Sequence, residues 1–115
     1  CALAWTRLGQ SQIHNLMATY ITLINFTPQG LQNIHESPHR AAAFKSAAKK
    51  AGVKIKELYW TLGEFDGAIV FEARDEGAAT GLTLALSSLG NVHTKTLRAF
   101  NAVEFSQIIA KTPKM

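Results

Sequence analysis

One short motif in this sequence has the spacing of a zinc-dependent protease. Residues 35–39 read H-E-S-P-H, a match to the H-E-x-x-H pattern in which two histidines one helical turn apart hold zinc while the glutamate activates a bound water. Proline removes a hydrogen bond inside a helix but is tolerated in its first turn, so Ser37-Pro38 predicts a helix start. His35 then precedes the helix, His39 lies in it, and no third ligand is evident. We expect a solvated helix entrance, with metal binding by these histidines as the weaker alternative.

A second candidate is the pair of carboxylates at Glu64 and Asp66, which flank Phe65 in a turn that begins at Gly63. In extended backbone, residues i and i+2 point to the same side, so the two carboxylates could share a pocket and perform acid–base chemistry. Aspartate in a glycine-containing turn usually accepts hydrogen bonds from nearby backbone instead. We expect Asp66 to stabilise the turn and Glu64 to be exposed to solvent.

Hydroxyl-bearing side chains and one arginine recur at alternate positions of three predicted strands. Because alternate residues of a strand share a face, these side chains would line a polar and aromatic cavity if they pointed away from the helices. The arginine could then bind a carboxylate or phosphate through two hydrogen bonds. The candidate ligand-binding residues are Tyr20, Tyr59, Thr94, Thr96 and Arg98. The alternative is that threonines are simply good strand formers and that the arginine lies at a rim.

The pattern of strand and helix formers predicts the elements that position these residues. Strands are predicted at 19–26, 53–62, 67–73 and 91–100, and helices at 38–51, between Asp75 and Gly90, and at 101–110. Thr27-Pro28 and Ser37-Pro38 each have the form of an N-cap followed by proline, and residues 63–66 form a hairpin turn. The order is that of an α+β, ferredoxin-like βαββαβ fold: a four-stranded antiparallel sheet with two helices on one face, here with an extra C-terminal helix.

The predicted sheet has apolar residues on both faces. In the third strand, Ala68 and Val70 point to one side while Ile69 and Phe71 point to the other, whereas a sheet with one face in water should alternate apolar and polar residues. The simplest cover for the second face is another copy of the chain, so we expect a homo-oligomer, a dimer or higher. The alternative is that the terminal helix and the first residues cover this face within one chain.

Composition limits the class of protein. With 115 residues, 47% hydrophobic and 17% charged, the chain predicts one soluble globular domain, and it has no apolar run of the ~20 residues that a membrane-spanning helix requires. Cys1 is the single cysteine, which excludes an internal disulfide and favours a cytoplasmic location. The net charge of +4 is a mild bias. Residues 67–71 weakly match an RNA-binding strand but follow an aspartate, so we do not expect a nucleic-acid partner.

The domain boundaries follow from hydrophobic periodicity. Residues 1–16 show no strong period and are interpreted as an N-terminal extension or as a leader added for expression, because Met17-Ala18-Thr19 looks like a natural start before a strand. Residues 17–110 are interpreted as the ferredoxin-like domain, and residues 111–115 as a loose C-terminus.

Several separated blocks resemble the GYD family, small bacterial and archaeal proteins named for a Gly-Tyr-Asp motif at the hairpin. Here the motif falls on Gly63, Phe65 and Asp66, so that phenylalanine replaces the tyrosine and leaves no phenolic hydroxyl at the hairpin. The other similar blocks are Thr27, Gly30, residues 37–40 and residues 90–100. The resemblance covers residues 19–105 and implies a ferredoxin-like chain similar to the dimeric α/β-barrel group, whose members pair sheet to sheet. It assures no activity.

Three functional hypotheses follow. The first is a homo-oligomeric module that binds a small molecule between its sheet and a partner subunit, at the candidate ligand-binding residues. The second, by analogy with the barrel group, is a cofactor-independent monooxygenase or isomerase, which would need a titratable group within hydrogen-bond reach of its ligand. The third is a purely structural assembly with side chains filling the space between sheets. We predict no cofactor, and the sequence leaves open whether the chain is an enzyme.

Overall fold

A four-stranded sheet with helices forms the domain in the computed structural model, which describes residues 17–115. The elements are β1 (Ala18–Phe26), α1 (Pro28–Gln32), a 3-10 helix (Ile34–Glu36), α2 (Ser37–Lys50), β2 (Lys54–Trp60), β3 (Gly67–Ala73), α3 (Glu76–Ser88), β4 (Val92–Ala99) and α4 (Ala102–Lys111). The predicted strands and longer helices are therefore confirmed, with ends displaced by one or two residues. The proposed leader at 1–16 lies outside the described residues.

The strands lie in the order β2-β3-β1-β4, and each neighbouring pair is antiparallel. In the register of the sheet, Tyr20 of β1 lies opposite Phe71 of β3 and opposite Arg98 of β4. This arrangement confirms the predicted α+β, ferredoxin-like fold. Every helix within residues 17–115 is too short or too polar to cross a membrane.

The core lies between the sheet and one layer of helices. Phe71 is 1% exposed, and its ring stacks on that of Tyr20 with 5.5 Å between the ring centroids. Ala48 of α2 and Leu82 of α3 belong to the same buried cluster, so both helices cover one face of the sheet. Small residues such as Ala48, which is fully buried, let the helices approach the strands closely.

Local capping signals fix most helix starts. The Thr27 side chain accepts a hydrogen bond from the Gly30 amide, and the Asp75 side chain accepts one from the Ala78 amide. Asn101 and Glu104 form a capping box at the start of α4, in which each side chain satisfies the other residue's free amide.

The predicted N-cap role of Ser37 is wrong. Glu36 occupies the N-cap position of α2 with a helical backbone and no capping hydrogen bond from its side chain. The physical reason is that the 3-10 helix runs directly into α2, so no extended residue precedes the helix. Ser37 is instead the first residue of α2, it is buried, and its Oγ accepts a 3.3 Å hydrogen bond from Nη2 of Arg40.

Candidate functional site

The side of the sheet that faces away from α2 and α3, which we call the open face, has an apolar centre. Across the strands from β2 to β4, its two central rows are Glu57, Val70, Ile21 and Leu97, and then Tyr59, Ala68, Leu23 and Lys95. Tyr59 is 53% exposed and Leu97 is 51% exposed, while the four residues on the two inner strands are half-buried. Contiguous exposed apolar surface of this kind marks an interaction site.

The two edges of the open face differ in charge. On β2, the Tyr59 hydroxyl donates a 3.0 Å hydrogen bond to Oε2 of Glu57, and this bond together with the negative charge of Glu57 raises the pKa of Tyr59. On β4, the ammonium group of Lys95 lies 5.8 Å from the ring centroid of Phe65, within cation–π range. Within the two central rows, the face therefore has a carboxylate and a phenol at the β2 edge and an ammonium group at the β4 edge. In the next row, Lys56 forms a 3.9 Å ion pair with Glu72.

The five candidate ligand-binding residues do not share a face. Tyr20, Thr94, Thr96 and Arg98 lie on the face that α2 and α3 cover. Tyr59 pairs with Ala68 and lies on the open face. The physical reason is a β-bulge between Ile55 and Glu57, which shifts the alternation of β2 by one residue. The expectation of one cavity lined by all five, on the face away from the helices, is therefore wrong.

Arg98 is bound within its own chain. Its guanidinium donates to the carbonyl oxygens of Thr19, at 3.3 Å, and Ala99, and forms a 3.5 Å ion pair with Glu104. It also lies 4.5 Å from the ring centroid of Phe100. These contacts attach the first turn of α4 to the edge of the sheet, and the predicted binding of an anion by Arg98 stays a prediction.

The other candidate ligand-binding residues on the helix-covered face also have partners within the chain. The Thr96 hydroxyl is 3.0 Å from that of Thr22, and the Thr94 hydroxyl is 3.0 Å from that of Ser87. Burial raises the pKa of Tyr20, and the nearby Arg98 charge opposes this in part. These hydroxyls connect β1, β4 and α3.

Asp66 connects the hairpin turn to the end of β1. Its Oδ2 accepts a 2.9 Å hydrogen bond from the Phe26 amide, and its own amide donates at 2.8 Å to the carbonyl oxygen of Ile24. The neighbouring Glu64 is exposed. The two carboxylates therefore have different surroundings, and the role of Asp66 reaches beyond the turn itself to a second strand.

The two histidines of the H-E-x-x-H pattern lie in different elements. His35 is in the 3-10 helix and His39 in the first turn of α2, and both are exposed. Across residues 17–115, no group of three or more His, Cys, Asp and Glu side chains is placed to hold a metal ion.

A cleft between α2 and α3 is a feature that the sequence prediction missed. It has a volume of about 330 Å³ and opens at the end of the sheet where β1 ends. Its walls include Phe26, Phe44, Trp60, Leu82, Leu86 and Val92, and its polar residues are Ser37, Arg40, Tyr59, Asp66 and Asn91. Alanines line the facing sides of the two helices, at Ala41, Ala43, Ala47 and Ala85. Small side chains leave the space open, so the alanine-rich sequence of α2 was the available signal.

The terminal helix α4 has an apolar face in contact with solvent. Val103, Phe105, Ile108 and Ile109 are between 39% and 67% exposed. Within the described part of the chain, no α4 residue is buried. The alternative in which α4 covers the second face of its own sheet therefore has no support from its burial.

The comparisons with known proteins agree with this fold. A sequence model of the GYD domain matches residues 20–109. A Thermus thermophilus protein described as "Glutamine synthetase and cystathionine beta-lyase binding protein" is 32% identical over 84 residues, which cover 72% of this chain and 88% of the relative.

Among solved structures, the crystal structure of MtbAldR matches with a TM-score of 0.55 at 13% identity. The match covers 74% of this chain and 54% of that one, so this chain spans about half the length of its structural neighbour, and the likeness concerns the fold alone. The family match extends from β1 into α4, and this chain belongs to the GYD domain family.

Proposed function

We propose that this GYD domain protein is a homo-oligomeric docking protein whose open face pairs with the same face of a second copy. The observation that carries the proposal is the apolar centre of that face, where Tyr59 and Leu97 are each about half exposed at the two edges. Removing apolar surface from water stabilises an interface by about 25 cal/mol per Å² before the costs of association. The half-buried Ile21, Leu23 and Val70 would complete such a contact.

The charges of the open face favour one arrangement of the two copies. A two-fold axis parallel to the strands places β2 of one copy over β4 of the other, because a half-turn about that axis exchanges the two edges of the sheet. Tyr59 of one copy then faces Lys95 of the second, since both belong to the same row of the sheet. Glu57 lies next to this contact. An axis perpendicular to the strands would instead place β2 over β2 and β4 over β4, which keeps Tyr59 away from Lys95 of the second copy.

This arrangement also changes the proposed ligand site. Of the five candidate residues, Tyr59 faces the space between two paired sheets. A small molecule held there would contact Tyr59 and its open-face neighbours, whereas Tyr20 and Arg98 lie on the face that the helices cover. The proposal for this site is binding, and the titratable side chains beside it are Tyr59 and its hydrogen-bond acceptor Glu57.

Two leucine substitutions test the proposed sheet pairing. Leu97→Asp places a charge on the open face at a residue that is 51% exposed, and Leu84→Asp is its matched control on α3, at a residue that is 64% exposed. Light scattering after size exclusion should give the wild type and L84D at least twice the chain mass of 12.5 kDa, and L97D at most about half the mass of L84D with an unchanged circular dichroism spectrum. A wild type that is a single chain at micromolar concentration, or an L97D variant that keeps the wild-type mass, refutes the pairing.

A second candidate function is the binding of an enzyme, and the observation that favours it is the similarity to the Thermus thermophilus protein, which is described as binding glutamine synthetase and cystathionine beta-lyase. We propose that the assembled oligomer binds a glutamine synthetase or a cystathionine β-lyase. Biolayer interferometry with each purified enzyme should show saturable binding of the wild type and of L84D, and at least tenfold weaker binding of L97D. If neither enzyme binds the wild type, this candidate fails while the sheet pairing is unaffected.

A further inference from the structure

The chain has two complementary apolar surfaces besides the open face. The first is the apolar side of α4, where Ala102, Phe105 and Ile109 follow the i, i+3, i+7 spacing by which a helix anchors in a groove, with Ile108 beside them. The second is the cleft between α2 and α3, whose walls are mostly apolar. Both surfaces are mainly apolar, so packing one against the other would remove apolar area of both from water.

In this structure, one chain does not join these two surfaces, because Phe105 and Ile109 of α4 are more than half exposed. The cleft includes Val92 at the start of β4, whereas α4 follows Ala99 at the other end of that strand, beside Thr19. The seven steps from Val92 to Ala99 span about 23 Å at ~3.3 Å per residue. A helix of 10 residues is about 15 Å long, so α4 would not reach the Val92 end of its own cleft even if it folded back along the strand.

Charge also matches across the two surfaces. After Glu104 the chain contains no acidic residue, and Lys111 and Lys114 lie at the C-terminal end of α4 and beyond it. At the cleft, Asp66 is part of the wall and Glu64 is exposed in the same turn, while the one cation of the wall, Arg40, forms a 3.7 Å ion pair with Glu36. Opposite charges that flank an apolar contact set its orientation, here with the end of α4 at the hairpin turn.

We infer that α4 of one chain inserts Phe105, Ile108 and Ile109 into the α2–α3 cleft of a second chain. Because the contact joins two different surfaces, it either closes reciprocally between two chains or extends the assembly from chain to chain until a rotation closes it. It does not depend on pairing of the open faces. With both contacts in place, pairs of chains would be linked into a larger assembly.

Cysteine cross-linking tests the contact directly. In a Cys1→Ser background, chains carrying Ile109→Cys are mixed with chains carrying Ala47→Cys, which is a cleft residue. The matched control is Ala42→Cys, an exposed residue of α2 outside the cleft. A disulfide requires Cβ atoms about 3.5–4.5 Å apart, so mild oxidation should give the mixed I109C–A47C dimer in at least fivefold higher yield than the I109C–A42C dimer. Equal yields of the two mixed dimers overturn the inference.

A dye experiment identifies the occupant of the cleft. Phe105→Asp should expose the cleft, raise the fluorescence of 1-anilinonaphthalene-8-sulfonate severalfold and lower the mass of the assembly, whereas Gln107→Asp, a polar position on the same helix, should do neither. If removal of residues 1–16 raises the dye signal while F105D does not, the occupant is the N-terminal segment and the inference is wrong. It is also wrong if the wild type binds the dye as strongly as F105D.

The open-face variant separates this inference from the proposed function. L97D should still form the I109C–A47C disulfide, because Leu97 lies on the opposite side of the sheet from the cleft. Loss of the mixed disulfide in the L97D background, with the fold intact, would show that the α4 contact depends on sheet pairing and would overturn the claim of an independent contact.

Discussion

Replacing Asp66 with alanine should destabilise the fold although the residue lies in a surface turn. The Oδ2 atom of Asp66 accepts a 2.9 Å hydrogen bond from the Phe26 amide at the end of β1. Alanine removes this acceptor and leaves the amide of Phe26 without its partner. The change therefore weakens the connection between the hairpin and a central strand.

The expected decrease in the free energy of unfolding is about 2 kcal/mol. A hydrogen bond to a charged group contributes ~1.5–3 kcal/mol to stability, and we take the lower half of that range because Asp66 is half-buried, so that water can reach the freed amide. For a domain of this size, 1 kcal/mol shifts the melting temperature by about 4–8 °C. The melting temperature of D66A should thus fall by about 8–16 °C. Asp66→Asn keeps an oxygen acceptor without the charge and should lose about half as much.

Glu64→Ala is the matched control, two residues away in the same turn. Glu64 is exposed, and its backbone carbonyl, which accepts a 2.8 Å hydrogen bond from the Asn25 side chain, is retained in alanine. Glu64→Ala should change the free energy of unfolding by no more than about 0.5 kcal/mol. Differential scanning calorimetry of the three variants measures these differences. Equal melting temperatures for D66A and E64A would refute the role assigned to the Asp66 carboxylate.

Four further predictions concern the core and the two tyrosines. Gly30→Ala should lower the free energy of unfolding, measured in urea, by about 1–3 kcal/mol, because the new Cβ would lie 2.0 Å from the Asn91 carbonyl oxygen. An unchanged urea midpoint contradicts this. Phe71→Ala should lower the free energy of unfolding by about 3–5 kcal/mol, since Phe71 is 1% exposed. A decrease below about 1 kcal/mol would contradict this and show that the core collapses around the cavity. In an ultraviolet titration both tyrosines should ionise above pH 10.0, and Glu57→Gln should lower the pKa of Tyr59 alone. Because the pKa of Tyr20 is raised in the folded state, its contribution to stability is complete below pH 10.0 and is lost as pH rises through the folded pKa. The melting temperature of the Tyr20→Phe variant should therefore fall less at alkaline pH than that of the wild type. An equal fall in the two proteins would contradict this.

The fold was predictable because its signals are local. Thr27, Asp75 and Asn101 each precede a helix and cap it with their own side chains, and Gly67–Ala73 forms a strand with the predicted bounds. Capping and strand propensity depend on residues close in sequence. The same locality explains the error at Ser37, where a preceding 3-10 helix changed the backbone that a cap requires.

The candidate site was harder to predict because it depends on contacts between distant elements. Tyr59 was assigned to the wrong set of residues because a single bulge in β2 reverses the alternation of that strand, and no residue type in the strand requires a bulge there. The cleft depends on the distance between α2 and α3, which the sequence does not specify. Arg98 looked like a free cation, but it is paired with Glu104, a residue of the following helix.

Hydroxyl-radical footprinting with mass spectrometry tests the pairing of the open faces most directly. Leu97 and Leu84 have the same intrinsic reactivity, and in a single chain they are 51% and 64% exposed. If two open faces are paired, oxidation of Leu97 should be at least fivefold slower than that of Leu84 at high protein concentration, and Tyr59 should be protected with it. The protection should disappear on dilution. Oxidation of Leu97 and Leu84 at similar rates at every concentration would contradict the proposed interface.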